Sequence, residues 1–359
     1  MSDKFSPLAL AAHAAALVPG LDVVGLCPPS DSNAQVQRQG IIDAQGQRWV
    51  VCAPFEASAS VNVAAQVRIL KLLHRAWETG LVPFDVPVIE AQSHNPKNPG
   101  IYLHRLLPGD TLDENQLSGD PAVVISLATA LASLHALPKE VVEKSDLPIY
   151  SASDCRERYQ ALLDEGVKAW TIPANLYERW DTALDNVALF KFSPTVVHGD
   201  LSADAFTVSG STVRTIASFA NAHLGDPAED LQWITSYPDI DVVEKFFHTY
   251  NGILRSRVDL HLRSRCQLYS EMALVKWLLH GYRSEDQEIV EDAQQMLNQL
   301  SVDVGQTPLV EYHYPRSESP QELDAPETSL ADLPQVTADA PTVDLSAVIE
   351  QLLQEEDYE

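Results

Sequence analysis

Val196-Val197-His198-Gly199-Asp200-Leu201, followed by Gly225-Asp226-Pro227-Ala228-Glu229-Asp230-Leu231, is the part of the sequence that decides the fold. Two β-branched residues deliver His-Gly-Asp from a strand into a loop, and the glycine marks a tight backbone turn. Between the two motifs, Thr195–Phe219 reads as a compact strand–loop–strand insert. In the second motif, carboxylates stand just ahead of an apolar run, where a helix N-terminus favours negative charge. Asp226 and Asp230 therefore read as loop and helix-cap residues beside a structural Gly225.

Around this insert the pattern is helical, with candidate elements at 122–137, 153–170, 173–189, 241–254, 258–281 and 285–300. Upstream the period shortens. Strand-like segments at 21–26, 35–43 and 48–53 are separated by turn chemistry at Pro28–Asn33 and Ala44–Gln47, which predicts an antiparallel meander. A helix over 60–78 closes at Gly80, and strands follow at 88–92 and 100–106, the last ending at Pro108-Gly109. The apolar 8–18 stretch lacks a basic leader, while Ser6-Pro7 gives it an N-cap and a first-turn proline, so it reads as a short amphipathic helix and not as a secretory signal. The expectation is an α+β fold with a β-rich lobe over 1–107, a hinge near 102–109 and a helical lobe over 108–304.

The chain has 359 residues, with 24 Lys+Arg against 51 Asp+Glu, a formal charge of −27. Such an acidic surface repels phosphate backbones and anionic lipid, so no nucleic acid and no membrane is expected as partner. No uninterrupted apolar run reaches the ~18 residues that a membrane span needs. Cys27, Cys52, Cys155 and Cys266 are too dispersed for a zinc or redox pair, consistent with reduced thiols and a cytoplasmic protein. Residues 311–359 carry 13 carboxylates against Arg316 alone, and prolines at 315, 320, 326, 334 and 341. This composition predicts a disordered acidic tail over 305–359. Near 344–354, Leu345, Val348, Ile349, Leu352 and Leu353 share one helical face behind Asp344. The tail and this helix are expected either to engage a protein partner or to fold back on their own domain.

The His-Gly-Asp and Gly-Asp-Pro-x-x-Asp-Leu pair resembles the aminoglycoside and macrolide phosphotransferase family over roughly residues 7–300. Tyr102–Gly109 is similar to that family's hinge, and Leu127–Leu137 to the helix after it. The resemblance implies a two-lobed protein-kinase-like fold and a short set of parts for phosphoryl transfer, which depends on positioning and charge neutralisation. Asp200 occupies the place of the catalytic base. The magnesium-binding Asn expected five residues later is Ala205, and the Asp expected seven residues before Gly225 is Ser218, followed by the retained aromatic Phe219. The phosphate-contacting cation of the third strand is replaced by Cys52, its Glu partner on the helix by Gln66, and Pro28–Asn33 holds no glycine to approach a triphosphate.

Each such electrostatic contact is typically worth ~10²–10³ in rate, so the expectation is a catalytically impaired pseudoenzyme that binds or scaffolds, with no metal and no cofactor. In that reading Asp200 is vestigial and satisfies loop amides, His198 braces the loop, and Cys52 is an inert strand thiol with no basic neighbour in sequence. Trp170, Trp180, Trp233 and Trp277 pack the core. Two alternatives stay open. One is an ATP- and magnesium-dependent enzyme acting on a small-molecule hydroxyl, with Asp200 as base and Asp204 and Asn221 as substitute ligands. The other is a metal-free nucleotide or small-molecule sensor.

Overall fold

Capping chemistry sets half of the helix starts. Ser6 accepts from the Ala9 N–H ahead of α1 (Pro7–Leu17), and Asp120 from the Ala122 N–H ahead of α4 (Pro121–His135). Ser151 and Asp154 form a reciprocal capping box on α5 (Ala152–Ala169). The computed structural model describes residues 5–32, 36–54, 59–93, 100–138, 147–255 and 259–309. The acidic stretch beyond 309 and its 344–354 helix lie outside the described residues.

The N-terminal lobe is a five-stranded antiparallel sheet of order β1-β2-β3-β5-β4, built from β1 (Val23–Ser32), β2 (Val36–Asp43), β3 (Arg48–Pro54), β4 (Ile89–Gln92) and β5 (Tyr102–Arg105). One face is closed by α1. Leu10, Ala11 and Ala14 pack there with Ile41, Trp49, Val51, Ala53, Ile101 and Leu103. By strand alternation Arg38, Gly40, Val50, Cys52, Tyr102 and His104 take the opposite, inner face. The helix α2 (Ala59–Glu78) packs against the Phe219–Asn221 turn of the second lobe, and Gly80, in a left-handed conformation, ends it.

Strand β1 differs from expectation. It does not stop before Pro28-Pro29 but continues to Ser32, with the register broken between Cys27 and Ser30. Two prolines that donate no hydrogen bond are tolerated because β1 is an edge strand and they fall in the irregularity. The irregularity bulges onto the inner face, where a Cβ added at Gly40 would stand 2.4 Å from the Pro28 carbonyl oxygen.

The second lobe is helical: α3 (Asn115–Gly119), α4, α5, α6 (Ala174–Asp185), α7 (Ala228–Thr235), α8 (Ile240–Leu254), α9 (Leu262–Arg283) and α10 (Gln287–Val304). The buried α9 is its axis, packing on α5, α7 and α10, while α4 packs on α8. The insert is more than one hairpin. Strand β7 (Thr195–Val197) pairs with β10 (His223–Gly225), whereas β8 (Phe206–Ser209) and β9 (Thr212–Ile216) form their own hairpin beside β6 (Asp110–Thr111). Trp180 is fully buried with its indole N–H on Glu271, but Trp277 is 39% exposed, stacks on His280 and donates to Asp292. It lies on the solvent flank of a long helix and not in the core. Asn175 and Arg179 bind the carbonyls of Gly305 and Thr307, so the folded chain runs past 304. Among the described residues no helix is long and apolar enough to cross a membrane.

Candidate functional site

The buried Val196 and Val197 anchor β7 in the core and carry the chain into the His198-Gly199-Asp200 loop. That loop is held from beneath by Asp230, in the first turn of α7. The Asp230 carboxylate accepts the His198 N–H at 2.7 Å and the Gly199 N–H at 2.8 Å, with His135 Nε2 at 3.0 Å on the same group. Burial raises the Asp230 pKa, but these donors, His135 foremost, outweigh it and leave the pKa below the usual carboxylate range. Asp230 is therefore not a helix cap: its side chain turns back to the loop. Asp226 does accept the Ala228 N–H, but it also takes two bonds from the buried Arg265 and one from the Tyr269 hydroxyl.

With the His198 and Gly199 amides held by Asp230, Asp200 does not satisfy them, contrary to the sequence expectation. Its exposed carboxylate accepts from Asn221 Nδ2 at 3.2 Å. His198 is fully buried. Its Nε2 donates to the Ala217 carbonyl at 2.7 Å and its Nδ1 accepts from the Asp200 N–H at 3.3 Å, which fixes the orientation of the ring. Phe219 packs edge-on against it, 4.7 Å between centroids.

Ala205 ends the Ala203–Ala205 turn with a buried methyl group, and Ser218 holds a left-handed backbone (φ 70°) with an exposed side chain. Asp204 is exposed and accepts from the Ser202 hydroxyl. Of the two candidate substitute ligands, Asn221 is thus brought to Asp200, while Asp204 is engaged with Ser202. Among the described residues no group of three or more His, Cys, Asp or Glu side chains is arranged to hold a metal ion.

On the inner face of the sheet, Cys52 is buried with Sγ 3.8 Å from His104 Nε2. His104 Nδ1 donates to the Arg105 carbonyl, so Nε2 is the acceptor and the thiol the donor. Burial pushes the His104 pKa down to about 4; the Arg105 carbonyl opposes this and the Arg38 charge adds to it. The Tyr102 hydroxyl is pushed up, by burial first and then by Cys52. No basic residue adjoins Cys52 along the chain, but strand pairing supplies two, His104 from β5 and Arg38 directly opposite on β2. Gln66 is buried on α2.

Sequence reasoning missed His223. Its ring lies against both motif glycines: an added Cβ at Gly199 would come within 3.0 Å of it and one at Gly225 within 2.6 Å. His223 Nδ1 donates to the Asn221 carbonyl, and Nε2 faces Glu229 at 3.6 Å. Also missed were His135 and Arg265. Nothing along the chain separates Arg265 from Arg263 two residues earlier, and which carboxylate it meets is a matter of tertiary packing.

The model of the phosphotransferase enzyme family matches residues 30–261. Among solved structures, the chain is similar to an apo macrolide 2'-phosphotransferase from Brachybacterium faecium, at 20% identity and TM-score 0.69, covering 82% of this chain and 98% of that one. It is also similar to a type I macrolide 2'-phosphotransferase, at 22% identity and TM-score 0.66, covering 80% and 94%. A GDP complex of aminoglycoside 2'-phosphotransferase-IIIa aligns at 18% identity and TM-score 0.69, covering 83% and 99%. No curated protein matches the chain.

Proposed function

The chain belongs to the phosphotransferase enzyme family, and from that membership we propose that it is a catalytically impaired member whose two-lobed scaffold serves in binding. The observation that carries this reading is what flanks Asp200. The two positions from which the family resemblance expects magnesium ligands present the buried methyl of Ala205 and the neutral hydroxyl of Ser218. A hard divalent cation needs anionic oxygen, and neither group supplies it.

The inner face supports the same conclusion. A thiol bonded to an imidazole stands where a phosphate-contacting cation is expected, and the backbone of Pro28 lies over Gly40 on that face. In this reading a cytoplasmic protein partner is engaged through the acidic tail and its terminal helix, with neither metal nor nucleotide required.

A second reading, an active transferase acting on a small-molecule hydroxyl, is favoured by one observation. The Asp200 carboxylate is exposed and not used by the His198 and Gly199 amides, so a general base remains available there. Arg38, opposite Cys52 in register, keeps a cation on the inner face one strand away.

The test is a thermal-shift series with ATP and GTP, with and without Mg²⁺ or Mn²⁺, beside a phosphoryl-transfer assay. A nucleotide at 100 times its Kd adds ~2.7 kcal/mol, a visible rise in Tm. The impaired reading expects no metal-dependent shift and no transfer. A metal-dependent shift with turnover that Asp200→Asn abolishes would replace it with the second reading.

A further inference from the structure

The helical lobe holds a cavity of about 720 Å³ that none of the roles above uses. It lies where the C-terminal ends of α4 and α8 meet the start of α9, and residues 191–195, leading into β7, close another side. No residue of the loop from His198 to Asp200 lines it. It meets β7 at Thr195, the end of the strand away from Asp200, so it is separate from the candidate site. Its walls are held in place from outside. The Phe192 ring carries the Arg265 guanidinium 4.2 Å from its centroid, and Arg265 is fixed in turn by Asp226 and the Leu189 carbonyl. Tyr250 is fully buried, with its hydroxyl 2.7 Å from His135 Nδ1.

The lining offers an ion no partner. Its carboxylate, Asp259, already accepts from Arg265 and from the His261 N–H, and its one lysine, Lys191, is exposed to water. What remains is apolar, with Leu254 and Leu262 beside the Phe192 and Tyr250 rings and Leu260, 89% exposed, at the mouth. A charged group entering here loses hydration without recovering it, whereas an uncharged apolar molecule sheds only unfavourable contact with water. The volume is within the ~300–1,000 Å³ range of small-molecule sites. The floor also reaches the catalytic loop. His135 Nε2 lies 3.0 Å from the Asp230 carboxylate, which accepts the His198 and Gly199 N–H groups, so a molecule packed on His135 and Tyr250 steadies the group that holds the loop.

We infer that this cavity binds an uncharged, largely apolar small molecule, and that its occupancy restrains the His198-Gly199-Asp200 loop through His135 and Asp230. The inference goes beyond the impaired reading and does not depend on whether Asp200 catalyses.

Calorimetric titration of the full chain tests it with three probes that share one ring system: 1-naphthalenemethanol, 1-naphthoate and 1-naphthylmethylammonium. The neutral alcohol is expected to bind, and the anion and the cation to bind about tenfold more weakly or not at all. Leu254→Trp fills the cavity and abolishes binding. Leu260→Asp weakens it about tenfold, the loss of apolar contact equivalent to about two methylene groups. That position is exposed, which covers the case in which the tryptophan variant does not fold. Val302→Asp, exposed on α10, leaves binding unchanged. Hydrogen exchange at the His198 and Gly199 amides, followed with the alcohol at ten times its Kd, slows about tenfold if the loop opens only from the empty cavity.

Absence of binding by the alcohol, tighter binding of either charged probe, or binding undiminished in the folded Leu254 and Leu260 variants overturns the site. Binding with unchanged exchange at both amides overturns the coupling to the loop. Phosphoryl transfer with both results intact would overturn the impaired reading while leaving this one standing.

Discussion

At the scale of single residues, His104 shows how pairing across strands sets a chemistry that spacing does not. Its Nδ1 bond to the Arg105 carbonyl leaves Nε2 to accept from Cys52, and the ring stays neutral because burial disfavours its charged form. A histidine whose native pKa is about 4, against an ordinary 6.5, binds fewer protons folded than unfolded between those values. This group therefore contributes a loss of stability as pH falls from 6.5 towards 4. Urea midpoints of the parent chain and of His104→Gln, taken across that window, check it. The variant is expected to fall less steeply, and parallel slopes would show that His104 does not titrate this way. The same residue explains why Cys52 could not be judged from sequence, since its partners lie on β2 and β5.

At the scale of elements, the short β10 strand does more than pair with β7. His223 leans along the strand over Gly225 and presses against Gly199, so glycine at both positions makes room for one imidazole. The two glycines are not equivalent. At Gly225 the obstacle is the His223 side chain, whereas Gly199 also has φ +85° and a backbone oxygen, that of Asn221, 2.5 Å from an added Cβ. Gly225→Ala should cost ~1–3 kcal/mol by overpacking, and much less in a His223→Ala background. Gly199→Ala should not be rescued by the same change. Denaturation of the two double-mutant cycles decides it, and additive energies at Gly225 would be the contrary result. The motif pair was visible as two Gly-Asp steps, but the residue that excludes a side chain at Gly225 and also presses on Gly199 was not, because it interacts only once β7 and β10 are paired.

At the scale of the whole molecule, the charge is unevenly distributed. Residues 311–359 carry −12 of the −27, leaving −15 on the remainder. Self-repulsion of that magnitude opposes compaction and is screened by salt, whose Debye length falls from ~30 Å at 0.01 M to ~8 Å at 0.15 M. The Tm is expected to rise over that range in a calorimetric scan. A flat or falling Tm would mean that internal pairs such as Arg265 with Asp226 and Arg179 with Glu271 already offset the excess.

The sequence alone determined the two-lobed plan and which residues, Asp200, Ala205, Ser218, Cys52 and Gln66, stand where the family resemblance expects a base, magnesium ligands and an ion pair. Residue identities are displayed in full by a linear chain, and their roles rest on that resemblance. Tertiary structure decided which carboxylate holds the loop, that β1 runs through its two prolines, and that Cys52 faces an imidazole. Each depends on groups far apart in sequence meeting across strands or helices, and their burial and charge exist only once the chain is packed.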